Sequence, residues 1–239
     1  MRNVKGTLHS LRNSQRLPII AQDPSVKVGD RIVRASIDVP AEELLPGPRG
    51  YRVAVVDYDV TANALYQPAS LPSGLEGDYA DPFLDVPDET LLPAPRIHAQ
   101  NVYAIAMRIL ARFEFALGRR VQWGCEGDQL NILPHAFAEP NTFYSRDDRS
   151  LLFGYFESFP DQDDNTRTVF SCLSYDVVAH ETTHAILDGL RSRYLDPYSP
   201  DQGAFHEGLA DVVALFSIFS LPDVVRAALD GTAGGALID

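Results

Sequence analysis

The first third of the chain alternates apolar and polar residues. Ile19-Ile20, residues 31–39 and residues 51–58 are rich in β-branched side chains and partly keep the two-residue period of a half-buried strand. Gly29-Asp30 and Pro46-Gly47-Pro48 punctuate them as turns. The pattern predicts an antiparallel sheet, with Asp57 and Asp59 facing solvent. Residues 61–95 lose the alternation. The prolines from Pro68 to Pro95, with Gly74 and Gly77, predict irregular structure. Its scattered acids, Glu76, Asp78, Asp81, Asp85, Asp88 and Glu89, fit a solvated loop, or alternatively the rim of a cleft or a docking segment.

From residue 96 to 118 the period changes. Tyr103, Met107, Leu110, Phe113 and Leu117 recur at three- and four-residue steps, Ile105 and Ile109 widen the apolar face, and Gly118 is a stop signal. This predicts a long, largely buried helix, with His98 at its surface or cap. Val121-Gln122-Trp123, residues 129–133, Asn141-Thr142-Phe143-Tyr144 and residues 151–156 again read as strands, with His135 a structural residue before an edge strand. Two further helices follow. In the first, Val177, Val178, Ile186 and Leu187 are the buried face, Ser174 the cap, Asp176 the first-turn acid and Gly189 the end. The second covers residues 203–215. The fold class is α+β: a β-rich part with a proline-rich loop over residues 1–95 and a helical part carrying the chemistry over residues 96–239, or one continuous domain.

Composition narrows the partners. The 239 residues carry a net charge of −13, with a pI near 4.8, which disfavours nucleic acid and anionic membrane surfaces. Hydrophobic content of 45% is enough for a sizeable core. Cys125 and Cys172 form no C-x-x-C and read as reduced packing residues, with a disulfide the alternative. Residues 1–15 lack the apolar centre of a secretory signal, and no stretch reaches the roughly 18 apolar residues of a membrane-crossing helix. A cytoplasmic address follows by default. Asp161-Gln162-Asp163-Asp164-Asn165 opens like a calcium loop, but Thr166 and Cys172 stand where such a loop needs Gly and Glu, so an acidic turn is expected.

The chemistry lies in His180-Glu181-Thr182-Thr183-His184. On a helix, residues four apart share a face, so both imidazoles can address one ion while Glu181 reaches a water on it. A catalytic zinc takes three protein ligands and keeps one position open, and two histidines with a glutamate are a recognised set. Glu207, in Glu207-Gly208-Leu209-Ala210-Asp211, supplies the third ligand 23 residues after His184. Asp211, one turn on, can accept the spare ring N–H of a ligand histidine, here assigned to His180. His206, next to Glu207, is expected to point elsewhere.

Together these motifs resemble the gluzincins, most closely the thermolysin-like zinc metallopeptidases. Residues 176–185 are similar to that family's active-site helix, and Asn141-Thr142-Phe143-Tyr144 is similar to its cleft-edge strand. The resemblance covers about residues 95–220 and implies a zincin-like lobe with a long buried helix, an active-site helix and a second ligand helix. It implies zinc-dependent hydrolysis of peptide bonds, with a metal-activated water and Glu181 as general base. It implies substrate positioning by Asn141 and Thr142, and oxyanion binding by Tyr194, with Tyr198 in reserve. A peptide or protein is the implied substrate.

Two features depart from the family. It carries a later histidine that stabilises the tetrahedral intermediate, and none follows His206; the expectation is a chain cut before a C-terminal helical domain. Ile218, Phe219 and Ser220 stand where its calcium-binding acids would be, so calcium is not supported. Competing readings are an exopeptidase or amide hydrolase on the same scaffold, and a zinc-binding regulatory module without turnover.

Overall fold

In the computed structural model, the alternating N-terminal segment becomes a two-stranded ribbon with a small hairpin inserted. The structure describes residues 14–71, 85–125, 127–160, 165–194, 196 and 198–231. Residues 1–13, Gly74, Glu76, Gly77, Asp78, Asp81 and the 161–164 part of the acidic turn lie outside the described residues. Strand β1 (Ser14–Ile20) pairs antiparallel with β4 (Arg34–Pro40), from Ser14 opposite Pro40 to Ile20 opposite Arg34, after the hairpin of β2 (Lys27–Val28) and β3 (Arg31–Ile32). Leu17, Ile19, Ile37 and Val39 go inward.

The third alternating segment does not extend this ribbon. Within it, β5 (Val53–Val55) pairs parallel with a distant strand, and β6 (Tyr58–Asp59) forms a hairpin with β7 (Ala64–Leu65). All three residues of β5 are buried, as suits a strand covered on both faces. Asp59 is also buried, accepting hydrogen bonds from Tyr155 Oη at 2.6 Å and from the Ala62 N–H, which corrects its expected solvent exposure. Among its described residues the proline-rich segment contains one short helix, α1 (Asp88–Leu91), fastened when Asp88 accepts from Arg34 Nη2 and from the Ile32 N–H.

Helix α2 (Pro95–Leu117) follows the predicted periodicity, and Gly118 ends it at φ +64°. Its first four turns are buried nearly all round, because the helix passes between the N-terminal ribbon, the main sheet and a later helix. Residues 121–123 are not a strand. Val121 and Trp123 are buried in an irregular segment whose Val121 carbonyl accepts from Arg52 and whose Trp123 Nε1–H donates to the Arg52 carbonyl. Side-chain bonds there take the place of a ladder.

The main sheet contains β8 (Leu130–Phe137), β9 (Thr142–Ser145), β10 (Ser150–Glu157) and β11 (Thr168–Phe170). Its path is β11–β10–β8–β5, parallel at β10–β8 and β8–β5, with β9 antiparallel on the free side of β10. A 3₁₀ turn, Ser171–Leu173, then leads into α3 (Tyr175–Leu190). Ser174 holds the cap position, but its hydroxyl donates to Asp23 instead of capping the helix. Gly189 does not end α3; the backbone of Gln122 passes so close that any side chain there would overlap its carbonyl oxygen. Helix α4 (Pro200–Phe219) is capped by Ser199, which accepts from the Gln202 N–H, and α5 (Pro222–Gly231) follows.

One hydrophobic cluster runs from Leu17 through α2, the sheet and α3 to Val224. The class is α+β. Cys125 and Cys172 are free and buried. Among the described residues no single helix is long and apolar enough to cross a membrane; α4 and α5 meet the length and composition only as a pair, with a 73° bend between them.

Candidate metal centre

Helix α3 presents His180 and His184 on successive turns, and α4 packs across it to bring in Glu207. His180 Nε2 and His184 Nε2 lie 2.9 Å apart, and Glu207 Oε2 lies 3.2 Å from the first and 3.5 Å from the second. Donors bonded at about 2.0–2.1 Å to a tetrahedral ion sit about 3.3 Å from one another. The three edges bracket that spacing, so the residues fit a zinc ion without rearrangement.

The outer nitrogens decide whether the inner ones can bind. His180 Nδ1–H donates to Asp211 Oδ1 at 2.9 Å, which leaves Nε2 with its lone pair. His184 Nδ1 faces His206 Nδ1 at 2.5 Å, and the two rings stack with centroids 4.5 Å apart. His206 therefore does not point elsewhere. The crossing of α4 over α3 turns both Glu207 and its neighbour toward the same helix, a fact that helical spacing within α4 alone does not contain. Burial, with His180 and His206 beside it, lowers the His184 pKa and holds that ring neutral, as a metal ligand must be. When His184 Nδ1 donates to His206 Nδ1, the remaining proton of His206 sits on Nε2, a buried atom with no hydrogen-bond partner among the described residues.

Glu181 is buried between α3 and the edge strand β9. Burial raises its pKa to about 8; a hydrogen bond from the Tyr144 backbone works against this, and the Glu207 carboxylate adds to it. The strand is held to the helix by a second contact. Asp188, a further turn beyond His184 on the same face, is buried and accepts from Tyr144 Oη and Arg146 Nε, each at 2.8 Å, with Arg146 Nη2 completing the pair. The sequence reading missed Asp188 and Arg146. The signal was the four-residue series 180, 184, 188, whose third member is acidic and so needs a buried cation.

The remaining expected site residues are spread along the cleft. Thr142 and Tyr194 line a cleft of about 370 Å³ together with His180, Glu181, His184 and Glu207. Asn141 is exposed, and its side-chain oxygen accepts from the Thr142 N–H; it is not among the cleft's lining residues. Tyr198 is exposed in a neighbouring groove that Tyr194 also borders. On the other side of His180 and Glu181 a second groove of about 570 Å³ runs between α3 and α4, past Asp211 and Leu215. The cluster of His180, His184 and Glu207 thus stands where two grooves meet.

A scan of protein-family models and a search of curated proteins find no match to this chain.

Proposed function

We propose that the protein is a zinc-dependent hydrolase of peptide bonds, built on a thermolysin-like, zincin-type arrangement of α3, α4 and β9. The observation that carries this reading is the three-donor triangle of His180, His184 and Glu207, with the Glu181 carboxyl beside it in an open cleft. Bound zinc would supply Lewis acidity, lowering the pKa of a water and polarising the scissile carbonyl.

The chain's own residues do the rest. Glu181 accepts the proton of the attacking water and returns it to the leaving amine. Its fixed place under β9, beside the ligand triangle, suits both tasks. Asp211 and His206 orient the two ligand rings. Among the described residues strand β9 pairs on one side only, with β10, so its outer edge offers N–H and C=O groups to an extended peptide. The Tyr194 hydroxyl, at the cleft wall, is the donor available to the oxyanion. Grooves leave the site on both sides, which favours cleavage within a chain over removal of terminal residues.

The test is Glu181→Gln against a quenched peptide library. The variant should keep its zinc and lose turnover by about 10²–10⁴-fold, the usual worth of a general acid–base. Full turnover in a zinc-loaded variant would remove Glu181 from the mechanism, and a zinc-loaded wild type inert toward every peptide would leave the centre a binding module.

A further inference from the structure

A second group of metal-binding atoms converges inside the fold, away from both grooves. His98 in the first turn of α2, His135 in β8 and Cys172 in the 3₁₀ turn before α3 are all buried, and one ligand atom from each lies within 4.8 Å of the others. The expectation that His98 sits at the surface is therefore wrong, and Asp57 does not face solvent but holds His135. Residue-by-residue patterning cannot show this, because the four side chains come from four separate segments.

The tautomers carry the argument. A neutral imidazole has one N–H. His98 Nε2 lies 2.5 Å from the Leu92 carbonyl oxygen, which can only accept, so its proton is spent there. His135 Nδ1 lies 2.7 Å from Asp57 Oδ1, and a carboxylate likewise takes that proton. The remaining nitrogens, His98 Nδ1 and His135 Nε2, then face each other at 2.6 Å with lone pairs on both. Two lone pairs at this distance repel unless a cation answers them.

A proton or a metal could be that cation. A shared proton uses the two rings and leaves Cys172 as a packing residue of the core. A metal uses all three donors. We propose that His98 Nδ1, His135 Nε2 and Cys172 Sγ form a second, structural metal site for a borderline-soft divalent cation such as Zn²⁺. Zn²⁺ takes both imidazole and thiolate, and one divalent ion, one thiolate and the Asp57 carboxylate sum to zero charge, which makes burial tolerable. A metal makes a thiolate of the cysteine that binds it. The rings must part to about 3.3 Å to hold the ion. Phe170 covers both, 4.5 Å from the His98 ring and 5.4 Å from the His135 ring. Its position suggests its work: Cys172 precedes the Ser174 cap of α3 by two residues, so the ion would tie α2 and the sheet to the start of the helix that carries His180 and His184.

The test uses the full chain, stripped by a chelator and titrated with Co²⁺. Cysteine thiolate bound to cobalt gives an intense near-ultraviolet charge-transfer band, whereas a His–His–Glu centre gives only weak visible bands. The expected result is a band that is complete by two equivalents, survives Cys125→Ser, and is lost in Cys172→Ser while the visible bands remain. Metal content should be two ions per chain in the wild type and one in Cys172→Ser. Should Cys172→Ser fail to fold, the wild-type band and the Cys125→Ser control still decide the matter. A folded wild type without the band, the outcome for a shared proton, overturns the proposal. So does a band that disappears with Cys125.

Discussion

The two histidine clusters have nearly the same donors and opposite surroundings. In the cleft, the side chains of Glu207 and Asp211 are 65% and 74% exposed, and grooves lead in from two sides. In the interior, the side chains of His135 and Asp57 are 9% and 11% exposed, and aromatic rings close the top. Each has two imidazoles, one further ligand and a carboxylate holding a ring N–H from behind. What separates them is access. An ion with a free position facing solvent can activate a water, while an ion walled in by Phe170 can only brace the fold. Removing a ligand should therefore have opposite consequences. His184→Ala should abolish hydrolysis and leave a folded protein, measured by peptidase assay beside circular dichroism. His135→Ala should destabilise by about 3–5 kcal/mol, because Asp57 loses the partner of a buried charge, and this would be read by denaturant titration. If His184→Ala unfolds the chain and His135→Ala does not, the roles are reversed.

A subtler change tests the supporting carboxylates. Truncating the residue behind a metal-bound histidine typically weakens the metal by about 10–100-fold. Asp57→Ala should fall at the upper end, because nothing can replace a carboxylate inside the fold. Asp211→Ala should fall at the lower end, because water reaches His180 Nδ1 when the carboxylate is gone. Metal competition against a chromophoric chelator measures both. Equal losses would mean that burial does not govern the strength of the support.

The same contrast explains what could be read from the chain. The cleft cluster is written locally: four-residue spacing puts His180 and His184 on one face of α3, and Glu207 and Asp211 on one face of α4. Helix α2 was equally legible, since its apolar period and Gly118 act within the segment. What depends on how segments meet was not legible. The sequence placed His206 off the site, and the angle between α3 and α4 brings it to His184. It gave Gly189 to a helix end, and the approach of Gln122 explains the glycine instead. It assigned residues 121–123 to a strand on the strength of Val121 and Trp123, which are apolar because they are buried rather than because they pair. Residues 51–58 look like their antiparallel predecessors, and only β8 makes Val53–Val55 a parallel strand.

Acid stability adds a third comparison, because the interior region holds a second buried carboxylate beside its histidines. Burial alone would raise the Asp59 pKa, yet hydrogen bonds from Tyr155, the Ala62 N–H, Tyr66 and the Thr61 backbone outweigh it and keep the group below 3.8. A carboxyl depressed in the folded state contributes stability that is present above 3.8 and lost as pH falls through the lower, folded value. Asp59→Asn should accordingly be less stable than the wild type at neutral pH, by about 1–3 kcal/mol for the charge-assisted bonds lost. The gap should close as the medium becomes more acidic. Melting curves across the acid range, in the presence of chelator, isolate this from any metal contribution. A gap that stays constant with pH would mean that the hydrogen bonds do not depend on the charge.

The smallest effect should come from Asn141, and it bears on the cleft alone. Its side-chain oxygen is occupied by the Thr142 N–H next to it, and the residue lies outside the lining of the cleft. If it holds a peptide, it must first give up that local bond, exchanging one neutral hydrogen bond for another of similar strength. Asn141→Ala should leave stability within about 0.5 kcal/mol and raise KM a few-fold with kcat little changed, because the contact is made equally in the ground and transition states. A fall in kcat with KM unchanged would mean that Asn141 engages the substrate only as the carbonyl is attacked. In that case β9 would shift toward the cleft during turnover, and the buried Asp188–Arg146 pair that pins it to α3 would be the joint about which it moves.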